Sequence, residues 1–208
     1  PCARMNVPTT YNLKPAFQRM LTPLMQRLRN AGVTPNALTW LAIALSGGLG
    51  YAFVLGLSNR YWFFAVAGGL LVRMALNALD GMMARAFNLT SKGGAVLNEL
   101  GDVVSDALVM WPLALVPGVH VGWVAALLWL TAVNEFVGVL GASVSGERRY
   151  EGPMGKSDRT LVWGVFCLLM GAGVAVEPYA IYGVYAVLIG LLWSLSLIHI
   201  SEPTRLPG

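Results

Sequence analysis

The sequence predicts an all-α integral membrane protein, with six transmembrane helices preceded by an N-terminal amphipathic helix at the membrane interface. Three observations carry that expectation. Of the 208 residues, 56% are hydrophobic and only 12% charged, against about 25% charged in an ordinary soluble domain. The apolar residues gather into six runs, most of them near the ~20 residues that a helix needs to cross the hydrocarbon. The Lys and Arg residues, behind a net charge of +4, cluster in alternate connecting segments, as in a multi-spanning chain that obeys the positive-inside rule. The charge is therefore a sign of topology, and nucleic acid is not an expected partner. Cys2 and Cys167 stand far apart, so neither a disulfide framework nor a CxxC metal site is available. No cleavable signal peptide is evident, because a basic amphipathic stretch precedes the first apolar run.

The expected organisation is a juxtamembrane helix in residues 1–34, a six-helix membrane domain in residues 35–197 and an artefactual tail in residues 198–208. Met5 reads as the natural start. Leu195–Arg205 (LSLIHISEPTR) resembles a translated sequencing-adapter end, so Ile198–Gly208 are expected to carry no function and the natural C-terminus to be missing.

In Tyr11–Gly32, residues Phe17, Met20, Leu21, Leu24, Met25 and Leu28 share one helical face, while Lys14, Arg19, Arg27 and Arg29 mostly occupy the rest. Such a helix suits the headgroup region of an anionic leaflet, and Pro23 is expected to kink or split it. In Gly32-Val33-Thr34-Pro35-Asn36 the glycine ends one helix, Thr34 caps the next and Pro35 takes its first position. The six apolar runs are roughly Asn36–Leu57, Tyr61–Ala84, Gly94–Val116, Val121–Gly141, Thr160–Val176 and Tyr179–Leu197. The fifth is short, and the sixth leans on adapter-like residues. Basic residues lie before the first run, after the second (Arg85, Lys92) and after the fourth (Arg148, Arg149, Lys156, Arg159). The opposite connections carry only Arg60, His120 and Glu177. The N-terminus and the 85–93 and 142–159 segments are therefore expected on the cytoplasmic side of a prokaryotic inner membrane.

Charged side chains inside membrane segments are costly, and so are usually functional or paired. Arg73, Asp80, Glu99, Asp102, Asp106 and Glu135 qualify. Arg73, Asn77, Asp80 and Ala84 lie at steps of four, three and four, hence on one face of the second run. Gly94, Asn98, Asp102 and Asp106 repeat every four residues on the third. Opposed, the two faces would line a space with oxygen ligands, which suits hard cations such as Mg²⁺ or Mn²⁺. A pair of such ions ~3.5–4 Å apart can clamp a pyrophosphate.

Asp80, Gly81, Ala84, Arg85, Gly94 and Asp102 stand at the spacing D-G-x2-A-R-x8-G-x7-D. This resembles the signature of the CDP-alcohol phosphatidyltransferases, D-x-x-D-G-x-x-A-R-x8-G-x-x-x-D-x-x-x-D. Asn77 and Asn98 occupy the places of its first and third aspartates. The resemblance extends loosely to the amphipathic helix, the GVTPN turn and the six-span layout. It implies that an acceptor hydroxyl attacks a CDP-alcohol, most often CDP-diacylglycerol, at the lipid-bearing phosphate and that CMP leaves, in phospholipid synthesis. It implies divalent metal (Mg²⁺ or Mn²⁺) at Asn77, Asp80, Asn98 and Asp102, with Asp102 as the general base or a ligand. Gly81 and Ala84 would leave room for the CDP-alcohol beside Gly94, and Arg85 suits a phosphate or a structural carboxylate. A homodimer is the assembly that the resemblance implies.

Two asparagines remove two negative charges from the family's metal cage, and three readings stand side by side. The ligand set is shifted, with Asp106 one turn along joining the metal and catalytic residues and Glu99 adjacent. Or one metal binds tightly and the second arrives with substrate. Or the protein binds nucleotide or lipid without turning over. An ion-coupled transporter is a more remote alternative, having no need of the signature's spacing.

The segment Gly146–Arg159 contains a Gly155-Lys156 pair resembling one in relatives that take a phosphorylated acceptor. Arg148, Arg149, Lys156 and Arg159 either form a pocket for acceptor phosphate or are an ordinary positive-inside loop. The acceptor is a small alcohol or a phosphorylated polyol. Asn134-Glu135 either faces the same site or makes an interhelical hydrogen bond. Gly47, Gly48, Gly50, Gly171 and Gly173 read as close-packing positions. His120 and His199 have no ligand-spaced partners, and Asn88-Leu89-Thr90 is a sequon on the wrong side for use. Trp40, Trp62, Trp111 and Trp123 lie near span ends, as an aromatic belt does.

Overall fold

The computed structural model describes the backbone of residues 14–145 and 154–200 and the side chains of 17–141 and 154–196. Arg148, Arg149, Met5 and the side chain of His199 lie outside these. Every regular element among the described residues is helical: α1 (Lys14–Asn30), α2 (Pro35–Gly56), α3 (Trp62–Ala86), α4 (Lys92–Met110), α5 (Val121–Ser145), α6 (Lys156–Gly171) and α7 (Ala180–Ile200), with 3₁₀ turns at Trp111–Leu115 and Glu177–Tyr179.

The junction between α1 and α2 forms as its residues dictate. Gly32 takes φ +81°, the backbone N–H of Val33 donates to Leu28 O at 3.0 Å, and Ala37 N–H donates to the Thr34 hydroxyl at 3.3 Å. Pro23 does not split α1, which runs through it as one helix. The proline sits on the exposed side, where its missing N–H disturbs no packed surface. Only part of the expected stripe packs. Leu21 and Met25, flanked by Phe17 and Leu28, lie against Leu38, Ala42, Leu76, Leu79 and Met83, whereas Met20 and Leu24 face outward.

Helices α2, α3 and α5 and the segment Glu177–Ser196 are long and apolar enough to cross a membrane, which makes this an integral membrane protein. The other two expected spans do not reach that standard alone. α4 stops at Met110 and passes into a 3₁₀ turn containing Pro112, whose ring and missing N–H cannot continue a helix. It also carries Lys92, Glu99, Asp102 and Asp106. α6 has 16 residues, about 24 Å at 1.5 Å per residue, and ends before Gly173, which takes φ +79°.

In lipid the exterior is as apolar as the core, so helices associate by close packing rather than by expulsion of water. α2 is the centre of that packing, against α3 on one side and α4 on the other. A Cβ on Gly50 would collide with the Leu108 carbonyl, and one on Gly101 would lie 3.0 Å from the Thr39 methyl. Gly171 similarly admits the Phe64 ring, whereas Gly48 faces open space. Phe53 joins the layers, edge-on to Phe63 and stacked on Trp163, both with ring centroids 5.0 Å away. α6 rests on α3, and α7 on α5.

Candidate active site

The signature's two surviving aspartates stand near the end of α3 and in the middle of α4, two helices that both pack on α2. Asp80 is buried on α3. Its Oδ2 accepts from the Thr39 hydroxyl at 3.0 Å, and its Oδ1 accepts from Gly81 N–H at 2.5 Å. Asp102 on α4 keeps 14% of its side chain exposed and is bound by the Lys156 ammonium, itself 26% exposed, at the first residue of α6. Thr39 of α2 lies against both helices here: its hydroxyl donates to Asp80, and its methyl would lie 3.0 Å from a Cβ on Gly101, the residue before Asp102.

One turn further along α4, Asp106 is in a different setting. Its Oδ1 accepts from Arg73 Nη2 at 2.5 Å and its Oδ2 from Arg159 Nη2 at 2.9 Å. The same Arg159 nitrogen donates to Glu135 Oε1 at 2.6 Å, and Nη1 donates to Met154 O at 3.3 Å. Arg73, Asp106, Glu135 and Arg159 are all at most 5% exposed. Four helices therefore meet in one charge-balanced cluster. Both oxygens of Asp106 are engaged by arginines, which argues against the shifted metal set. Arg159, expected in an anion pocket beside Lys156, is instead turned inward, because Asp106 and Glu135 offer it two carboxylates. Glu135 makes an interhelical contact.

The remaining signature positions divide. Asn77 and Asn98 are half-buried, each on the face of its aspartate. Ala84 is half-buried and Arg85 exposed. The Arg85 guanidinium folds back over Gly81, where a Cβ would lie 3.3 Å from Nη1. Gly94 leaves room for protein rather than ligand: a Cβ there would lie 2.9 Å from both Asn36 Oδ1 and Ser91 Oγ. Ser91 caps α4 by accepting from Gly94 N–H at 3.0 Å. Thr39 and Asn36 were not among the expected site residues. Their signal was available, two polar residues three apart in an apolar run, but only the position of α2 shows what they touch.

The donor set suits a hard cation. Asp80, Asp102 and the amide oxygens of Asn77 and Asn98 offer oxygen alone, the chemistry Mg²⁺ and Mn²⁺ favour. Among the described residues no three His, Cys, Asp or Glu side chains gather at ligand spacing; two of the four signature positions hold amides in place of carboxylates. A small cavity of about 60 Å³ lies elsewhere, between the α4 end, α5, α6 and α7, with apolar walls that include Leu127, Trp163 and Val184.

Fold and site together describe a helical membrane protein with one signature carboxylate on α3 and one on α4. Residues 32–198 match the family model described as CDP-alcohol phosphatidyltransferase. The inner membrane protein YnbA of Escherichia coli K12 is 40% identical over 190 residues, covering 91% of this chain and 90% of its own length. The fold is that of the phosphatidylinositol phosphate synthase PgsA1 of Mycobacterium tuberculosis. Its structure with manganese and citrate superposes with a TM-score of 0.66 at 21% identity, covering 86% of this chain and 87% of that one. Its structure with CDP-DAG bound gives 0.64 at 22% identity, covering 88% and 93%. The chain belongs to the CDP-alcohol phosphatidyltransferase family, the transferases of phospholipid synthesis.

Proposed function

We propose that the protein transfers the phosphatidyl group of CDP-diacylglycerol to a phosphorylated polyol and releases CMP, at the cytoplasmic face of a prokaryotic inner membrane. The observation that supports this reading is the ion pair of Lys156 on α6 with the signature's Asp102 on α4, with Thr39 of α2 touching both the Asp80 carboxylate and the Asp102 turn. The manganese and CDP-DAG in the PgsA1 structures agree with it, as does the distribution of Lys and Arg. In this reading α4 and α6 complete a six-helix domain over residues 35–197, and α1 lies along the inner leaflet.

Asp80 and Asp102, with the amide oxygens of Asn77 and Asn98, hold the divalent cation. When bound, the metal neutralises the phosphates and stabilises departing CMP. Because Asp106 is taken up by Arg73 and Arg159, two carboxylates remain, which favours the reading in which they would hold one ion tightly and a second would need the substrate. Lys156 leaves Asp102 for the acceptor's phosphate, and Arg148 and Arg149, outside the described residues, belong to the same basic stretch of sequence. Asp102 then takes the proton of the acceptor hydroxyl as its oxygen bonds to the lipid-bearing phosphorus and the bond from that phosphorus to CMP breaks. Gly81, Ala84 and Arg85 border the nucleotide, and two copies associate as a homodimer.

The test is an acceptor panel with purified protein, CDP-diacylglycerol and Mg²⁺ or Mn²⁺, scored by CMP. Metal-dependent CMP release that rises with a phosphorylated polyol is the expected result. A second reading rests on Asn77 and Asn98 replacing ligands and Lys156 neutralising Asp102: a protein that binds nucleotide or lipid without turnover. Calorimetric binding of CDP-diacylglycerol with no CMP under any acceptor would establish that alternative.

A further inference from the structure

The signature accounts for Asp102 but not for the cluster one turn beneath it, and four buried charges need a reason. Replacing a buried ion cluster with apolar side chains of similar volume is often neutral or stabilising, so such a cluster is weak evidence of a stabilising role. Its best-attested use is to specify one register between helices. The packing points to the same use. α4 leans on α2, and α6 leans on α3, so α4 and α6 are related to each other mainly through the side chains that reach between them. Those side chains form two rungs. The upper is Lys156–Asp102 and the lower Arg159–Asp106. On α4 the rungs are four residues apart and on α6 three, about 6 Å and about 4.5 Å of rise. The lower rung is braced from both sides, by Arg73 of α3 on Asp106 and by Glu135 of α5 on Arg159.

We infer that Arg73, Asp106, Glu135 and Arg159 are positioning residues: together they set the rotation and height of α4 against α6, so that Asp102 and Lys156 face each other at the reacting phosphate. The inference rests on the transferase reading for what those two residues do. The lower rung is at most 5% exposed, so it acts through the upper one. A carboxylate braced by two arginines cannot rotate with its helix, whereas Lys156 alone, on a flexible stem, would leave Asp102 free to drift. A misplacement of ~1 Å at the reacting group is enough to cost about a hundredfold in rate.

Two variants and a readout independent of turnover test it. In Arg73→Met/Asp106→Leu/Glu135→Leu/Arg159→Met the cluster becomes apolar at similar volume. The expected result is an unchanged melting temperature in detergent, kcat lowered by about a hundredfold and little change in the KM for CDP-diacylglycerol. Asp106→Glu keeps every charge and lengthens one strut by a methylene. It should retain its melting temperature yet lose at least about tenfold in kcat. A purely structural cluster predicts wild-type kcat wherever the fold is kept, and that result in either variant would overturn the inference.

The second readout is closure of a cross-link between Asp102→Cys and Lys156→Cys by a bis-maleimide about as long as the Lys–Asp reach, in a background carrying Cys2→Ala and Cys167→Ala. Closure, followed by mass spectrometry as doubly against singly attached reagent, should be several-fold slower when Asp106→Glu is added; equal rates would overturn the positioning role. If the wild-type protein releases no CMP while the closure rates still differ, the transferase reading fails and the helix-setting role stands.

Discussion

Asp80 and Asp102 are held in opposite ways, and their substitutions are expected to separate accordingly. Asp80 is pinned by a hydroxyl and a backbone N–H, while Asp102 answers to a single mobile ammonium. Asp80→Asn and Asp102→Asn should each lower kcat/KM by about 10³-fold, since metal-borne charge stabilisation is worth several kcal/mol; CMP release measures it. Lys156→Met should raise the KM for a phosphorylated acceptor by at least about tenfold, the worth of a charge-assisted hydrogen bond, while the KM for CDP-diacylglycerol stays the same. An unaltered acceptor KM would remove Lys156 from that role. Asp106→Ala belongs to a different class. It leaves two arginines facing an empty space in the bundle, and a loss of about 3–5 kcal/mol is expected from breaking such a buried pair, read as a fall in melting temperature without any change in metal preference in what remains folded.

Among the helices, α2 has the largest part in building the site while contributing no signature residue. Its small residues let α4 approach, and Gly101→Val should crowd Thr39 and Ile43 at a cost of about 1–3 kcal/mol, measurable by thermal unfolding in detergent. Helix ends were readable wherever a local rule decides them. The Gly32–Asn36 junction follows from glycine, threonine and proline acting on their own neighbours. Pro112 ends α4 by the same logic, although hydropathy alone carried the expected span through it to Val116. Pro23 shows the converse: it sits on an outward face, and the helix tolerates it. That outcome depended on where Pro23 sits in the bundle, which a one-dimensional pattern does not contain.

For the whole molecule, the all-helical membrane class was legible from composition, because so few charges and so much apolar length leave no soluble alternative. The faces that carry Asp80 and Asp102 were legible too, since steps of three and four put each aspartate on a definable side of its helix. The destination of Asp106 was not. Its spacing continues the Asp102 face, and only the arrival of Arg73 and Arg159 from two other helices distinguishes a strut from a ligand. Thr39 was hidden for the same reason. The expected topology makes its own prediction: single cysteines at residues 88–91 should react with an impermeant reagent only from the cytoplasmic side, and at 117–120 only from the other. Chelation with EDTA should abolish CMP release and excess Mg²⁺ or Mn²⁺ should restore it.

Thr39 touches both halves of the signature at once, with its hydroxyl on Asp80 and its methyl against Gly101, the residue before Asp102. One small side chain therefore works as a gauge block between the two carboxylates, and its two ends can be altered separately. Thr39→Val keeps the width and discards the polar end, so metal should bind about tenfold more weakly. Thr39→Ser keeps the polar end and thins the block, so metal affinity should hold while turnover drops. If the two replacements behaved alike, the gap between the aspartates would have to be calibrated elsewhere in the bundle.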